Sequence, residues 1–265
     1  MQKKIISSVT DINDSIKKYS LISILGWQDV KQRYRRSTLG PFWLTISMGV
    51  MISTIGLVFG QLFDAPMKQY LPFFAIGMIL WSFYSTTLNE GCIGFVCSEA
   101  IIKQLPIPLF SHILRVVWRN TIIFAHNLVI LPIIFIIFGI TLDFIALLSI
   151  LGIILAIINL AWMALLGGIL CTRYRDLPQI VLSILQVLYF ITPIIWMPNQ
   201  LPKQSTLYLL DLNPAYHLIE VVRAPLLGLT PSFTNWCVSI GLMIMGWLIT
   251  IITFGCYKNR ISYWL

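Results

Sequence analysis

RYRRSTLGPFW, running from Arg33 to Trp43, decides how this chain is read. Three arginines stand within four residues, a Leu-Gly-Pro break follows, and an apolar run opens on two aromatics and continues to Phe63. Lysine and arginine gather in loops on the cytoplasmic side of a membrane. The stretch therefore marks a membrane boundary, gives an orientation and sets a basic surface at the lipid–water interface. Pro41 fits the first turn of the helix that follows, where its missing N–H is no loss.

Composition carries the same message outward. Of 265 residues, 58% are hydrophobic and 11% charged, against about 25% charged in an average soluble domain. The mean hydropathy is +0.85. Most of the chain belongs in lipid. The net charge of +8 then points to cytoplasmic loops and anionic lipid headgroups rather than to nucleic acid. The N-terminal MQKKIISSVTDINDSIKKYS lacks the apolar core of a cleaved signal, so the first span is expected to remain in the mature protein.

A hydrocarbon core of about 30 Å needs about 20 apolar helical residues. Six stretches qualify: roughly 41–63, 71–89, 118–140, 144–171, 180–197 and 236–257. In lipid each must satisfy its own backbone, so each is expected to be a helix. All but Lys68, Lys203 and Arg223 of the 18 basic residues fall on one side of this arrangement. Both termini are therefore expected to be cytoplasmic. The fold class is an all-α integral membrane protein with one transmembrane domain, 41–265, after a cytoplasmic segment, 1–40. Asn13 to Arg36 reads as an amphipathic helix. Ile16, Ile22, Leu25 and Val30 share its apolar side, with lysines and Asp29 elsewhere, and it is expected to lie in the interface.

Several chemistries lack their residues. There is no GxxxxGK[ST], HExxH or GxSxG. His112, His126 and His217 show no ligand spacing, and the five cysteines are scattered, so no metal site is expected. No acidic chain crosses the spans as a proton relay would. A catalytic centre is not expected, and energy for transport would come from elsewhere. Arg115 and Arg119 share a helix face and are expected to pair with Glu90 or Glu99. Arg173, Arg175 and Asp176 read as a charged turn between spans four and five. Glu220 and Arg223, three apart, can pair on a helix. Gly56 and Gly60 form a GxxxG suited to close helix packing.

Four segments carry a family resemblance: WQDVKQRYRRSTLGPFW (Trp27 to Trp43), SEAIIKQLPIPLF (Ser98 to Phe110), RYRDLPQIVLSILQVLYFITPIIW (Arg173 to Trp196) and LNPAYHLIEVVRAPLLG (Leu212 to Gly228). In order and spacing they resemble the permease subunits of bacterial ABC-2 type polysaccharide exporters, along nearly the whole chain. Such proteins export O-antigen, capsule or teichoic-acid chains on a polyprenyl diphosphate lipid. Two permeases pair, and each engages a separate P-loop ATPase subunit that holds ATP and magnesium.

The resemblance implies roles for particular residues. The short helix of Glu99, Ile101, Ile102, Lys103 and Leu105, stopped by Pro106, would dock the ATPase. Arg33, Arg35 and Arg36, with Gly40 allowing close approach, would meet the diphosphate; composition alone fits a simple lipid anchor equally well. Sugar rings lie well on aromatic faces, and Phe42, Trp43, Trp81, Tyr84, Tyr189, Phe190 and Trp196 are available. Because spans one and five border the family's channel, Phe42, Trp43, Tyr189 and Phe190 are favoured. The segment with Asn213, His217, Glu220 and Arg223 would form short re-entrant helices that gate the exit. Rival readings are an ABC-2 exporter of another lipid or drug-like substrate, an integral membrane enzyme, and a membrane anchor for a soluble partner.

Overall fold

The structure, a computed structural model, describes residues 2–33, 42–198 and 210–265. Among these residues it is all-helical. In chain order the helices are α1 (Gln2–Lys17), α2 (Tyr19–Arg33), α3 (Phe42–Leu62), α4 (Met67–Cys92), α5 (Gly94–Cys97) and α6 (Glu99–Gln104). They continue with α7 (Phe110–Leu128), α8 (Ile130–Phe138), α9 (Leu148–Arg173), α10 (Leu177–Ile191), α11 (Pro214–Leu226) and α12 (Phe233–Trp264).

Five stretches are long and apolar enough to cross a membrane: Phe42–Leu62, Met67–Cys92, Phe110–Phe138, Phe144–Arg173 and Phe233–Trp264. The chain is a multi-pass membrane protein. The third begins eight residues before the expected start at 118. Its first turn is capped from outside, because the buried Asp11 carboxylate accepts from the backbone N–H groups of Leu109 (3.2 Å) and Phe110 (3.0 Å). Helix N-termini leave such donors unpaired, and a carboxylate there also meets the positive end of the dipole. This span breaks between α7 and α8 near Val129. Pro132 has no N–H for the carbonyl one turn back, which loosens the ladder there.

The stretch expected at 180–197 folds differently. Its helix, α10, has 15 residues and stops at Ile191; at 1.5 Å per residue that is about 22 Å. Pro193 explains the stop, since it drives the preceding residue out of the helical region. Thr192 accordingly has φ −77° and ψ 136°. Thr192, Pro193 and Ile194 then turn inward and are buried.

The single amphipathic helix expected over 13–36 is two helices with a break at Lys18. α1 packs along α12 and α2 along α7. Gly255 is essential to the first contact, because a Cβ there would stand 2.6 Å from the carbonyl oxygen of Lys4. Asp11 also pairs with Lys258 of α12 at 2.9 Å. Ile22 and Val30 are buried as expected, whereas Ile16 is exposed.

α4 is the central element, buried along most of its length and packed against α3, α7, α9, α10 and α11. The Gly56 and Gly60 pair lets α3 lie against α4: a Cβ at Gly56 would overlap Leu71, and one at Gly60 would overlap Met67. The GxxxG is thus used inside one chain. Two apolar clusters result. One is centred on Tyr70, Phe74, Ile79 and Ile219, the other on Phe95, Phe110, Leu165 and Phe254.

Candidate functional site: a basic end and a clasped far end

The end of the bundle that carries the basic residues is organised by a partly buried charge network. Arg115 donates through Nε to Asp29 Oδ2 at 2.7 Å and through its terminal nitrogen to Asp29 Oδ1. Arg119 reaches Asp29 Oδ2 at 3.1 Å and Glu90 Oε2 at 2.7 Å. Asn120 donates to the same Glu90 oxygen at 2.7 Å. Two acids and two arginines cancel, so no net charge is left partly buried, and the bidentate geometry suits guanidinium. The network ties α2 to α7 and α7 to α4. Glu90 is the expected partner of Arg119. Asp29 corrects the other expectation: it faces α7 rather than the polar side of a surface helix. Its signal in the sequence is an acid standing in an otherwise basic segment.

Arg35, Arg36 and Gly40 lie outside the described residues. Arg33 is the last residue of α2. The network therefore fixes the helix on which Arg33 stands.

Glu99 and Lys103 of α6 pair at 2.6 Å along one turn. That hydrogen bond and charge hold the Glu99 carboxyl below the usual carboxylate range. α6 ends at Gln104, one residue earlier than expected, because Leu105 is extended ahead of Pro106. Its apolar residues divide. Ile102 packs inward against the second cluster, Ile101 is half-buried, and Leu105 is exposed. α5 connects this helix to α4, α7 and α9.

The four favoured aromatics occupy two places. Phe42 and Trp43 are exposed at the start of α3, and Phe42 meets His126 edge-on with centroids 6.1 Å apart. Tyr189 and Phe190, on α10, meet each other at 5.3 Å, and Tyr189 also meets Trp81 of α4 at 5.7 Å. Phe190 is exposed, while the Tyr189 hydroxyl points to the Met78 sulfur at 3.4 Å. Tyr84 is buried and donates to the carbonyl of Leu218 at 2.9 Å.

At the far end, α11 is held from every side. Asn213 caps it, accepting from the N–H groups of Ala215 and Tyr216, while its amide donates to Thr192 at 2.9 Å. Arg223 is wholly buried. It donates to Glu220 Oε2 at 3.0 and 2.6 Å and to the Pro193 carbonyl at 2.6 Å, with the Phe73 ring centroid 3.8 Å from its Cζ. The Glu220–Arg223 pairing is as expected. Pro193 and Phe73, which complete the enclosure, come from elements remote in sequence.

His217 lies 2.8 Å from Asn235 Oδ1 through Nδ1 and 3.0 Å from the Asp211 carbonyl oxygen through Nε2, so both ring nitrogens face an oxygen. A cavity of about 610 Å³ adjoins Glu220, with Lys68 and Phe73 in its wall.

A charge-paired network within the basic end, a short helix beside it and a clasped far end on a bundle of membrane-spanning helices fit a permease. The chain belongs to the ABC-2 type transporter family, whose pattern matches residues 20–227. It is 19% identical over 247 residues to the O-antigen export system permease protein RfbA of Klebsiella pneumoniae, covering 92% of this chain and 93% of that one. It is 26% identical over 210 residues to the RfbA of Myxococcus xanthus, covering 77% and 78%. It is 22% identical over 246 residues to the polysialic acid transport protein KpsM of Escherichia coli, covering 90% and 93%.

Proposed function

We propose that this chain is the membrane subunit of an ATP-driven exporter of lipid-linked polysaccharide, O-antigen foremost, in the bacterial cytoplasmic membrane. The observation that carries the reading is similarity to an O-antigen export permease and a polysialic acid transport protein along more than nine-tenths of their length. The chain works as a homodimer with two copies of a P-loop ATPase, which supply ATP and magnesium. Both termini are cytoplasmic. α10 and the bent segment after it make the fifth of six crossings, and α11 lies re-entrant at the outer face.

In this reading α6 docks on the ATPase through Leu105 and its neighbours. Ile102 and α5 couple that movement to α4, α7 and α9. Arg33, Arg35 and Arg36 receive the diphosphate at the cytoplasmic entrance, where guanidinium forks match phosphate oxygens. Phe42, Trp43, Tyr189 and Phe190 present ring faces to sugar between paired subunits. The His217, Glu220 and Arg223 contacts keep the outer gate shut at rest.

The test is reconstitution. The purified chain alone should hydrolyse no ATP. Joined with the ATPase expressed from the same locus, it should hydrolyse ATP faster when polyprenyl-diphosphate-linked glycan is added. No stimulation by any such lipid would overturn the substrate assignment.

A further inference from the structure

The elbow between α1 and α2 carries two adjoining pockets of opposite character. One, of about 450 Å³, is bounded by Ile16, Tyr19, Ile22, Leu114, Val117 and Trp118. Its size falls within the range of ligand pockets. Its hydroxyls, on Tyr19, Ser23 and Thr121, are few among aliphatic and ring surfaces, and Thr121 already donates to the Val117 carbonyl at 2.8 Å. The second pocket is polar, about 470 Å³, and is bounded by Asp14, Lys17, Lys18 and the Pro106–Pro108 turn.

The sequence Ile16-Lys17-Lys18-Tyr19 joins the two. Its outer residues line the apolar pocket and its inner residues line the polar one. Both lysines are exposed, and with Asp14 they leave the mouth net positive. Tyr19 is largely exposed and Trp118 partly so, as is usual for aromatics at the level of lipid headgroups.

We infer that this elbow binds one anionic phospholipid, its acyl chain in the apolar pocket and its phosphate on Lys17 and Lys18. The matched polarity selects an amphiphile, and the charge at the mouth selects an anionic one. Each lysine near a membrane surface adds measurably to such attraction. A lipid held there would brace α2, and with it Asp29 and the start of the arginine-rich stretch. The inference stands apart from the transported substrate, so its failure would leave the export reading intact.

The experiment is native mass spectrometry of the full chain in detergent, with phosphatidylglycerol or phosphatidylcholine of identical chains. The wild type should retain phosphatidylglycerol preferentially. Lys17→Ala with Lys18→Ala should lower that preference roughly thirtyfold, at about 1 kcal/mol for each lysine. Lys3→Ala with Lys4→Ala, an equal charge change at the other end of α1, should leave it intact. Ser23→Trp should fill the apolar pocket and remove one bound lipid of either headgroup, with helicity checked by circular dichroism. Ser23→Leu serves if the larger residue disturbs folding.

Equal losses from the two lysine pairs would reduce the effect to diffuse charge and overturn the site. So would full lipid binding by a folded Ser23 variant, or complete displacement by glycerol phosphate alone. A change of oligomeric state in a Ser23 variant would assign the groove to a second copy of the chain and overturn it as well.

Discussion

The guanidinium of Arg223 donates to the carbonyl oxygen of Pro193 at 2.6 Å, across 30 residues of sequence. Pro193 ends α10 and Arg223 sits in α11, so one side chain joins the termination of one helix to the body of another. Burial of the arginine is offset by Glu220, by that carbonyl and by the Phe73 face. A buried cation so enclosed is costly to disturb, because its partners are left without a donor.

Arg223→Ala should therefore destabilise the protein by about 3 kcal/mol, read as a lowered thermal midpoint in detergent. Arg223→Lys should recover only part, since an ammonium cannot reproduce the fork that serves Glu220 and Pro193 together. Glu220→Gln should be milder than Arg223→Ala, because an amide oxygen still accepts. If both arginine variants melt with the wild type, the clasp has no structural weight.

Asp29 and Arg119 offer a coupling test. Asp29→Ala and Arg119→Ala should each destabilise, and the double variant should cost less than the two together. The coupling should be about 1–3 kcal/mol for residues sharing one network. Additive losses would show that the two act independently.

Asp11 holds the start of α7 and pairs with Lys258. Asp11→Ala should cost about 1–2 kcal/mol, the scale of a lost helix cap. Limited proteolysis should then cut earlier within α1. Asp11→Asn should retain part of the cap, because its amide oxygen still accepts from Leu109 or Phe110, while losing the ion pair. Unchanged cleavage in Asp11→Ala would mean α1 is held by apolar packing alone.

Where the fold was legible in sequence, the signal was local. Apolar length marks α3, α4, α9 and α12 because a span must satisfy its own backbone in lipid. The stretch over 180–197 misleads on the same measure. Its residues are apolar to the end, yet Pro193 stops the helix and the segment after it is buried by contacts with α4 and α11. Tyr70, for one, donates to the Ile195 carbonyl at 2.6 Å. The place of α1 comes from Gly255 and Lys258, some 250 residues away, which no local pattern reveals. The Glu220–Arg223 pair was legible from three-residue spacing, whereas Phe73 and Pro193 had no spacing to reveal them. Asp29 reads as lying off the apolar side of its helix, because its partners Arg115 and Arg119 stand 86 and 90 residues away and no local spacing reveals them.

Ile102 of α6 and Leu105, the extended residue just after that helix, make the last prediction. Ile102 packs into the second apolar cluster, whereas Leu105 is exposed at the turn before Pro106. A charge at each site should separate folding from partnership. Ile102→Asp should lower the thermal midpoint of the isolated chain, since an unpaired carboxylate would enter a packed apolar site. Leu105→Asp should leave that midpoint unchanged but weaken co-purification with the ATPase, because an apolar ridge on a short helix is what a partner groove would take. Glu99→Lys combined with Lys103→Glu, which keeps the intrahelical pair while reversing its polarity, should also leave the fold intact. Any loss of ATPase association in that double variant would then report the charge pattern facing the partner. If Leu105→Asp co-purifies as well as the wild type, the docking surface lies elsewhere on the basic end.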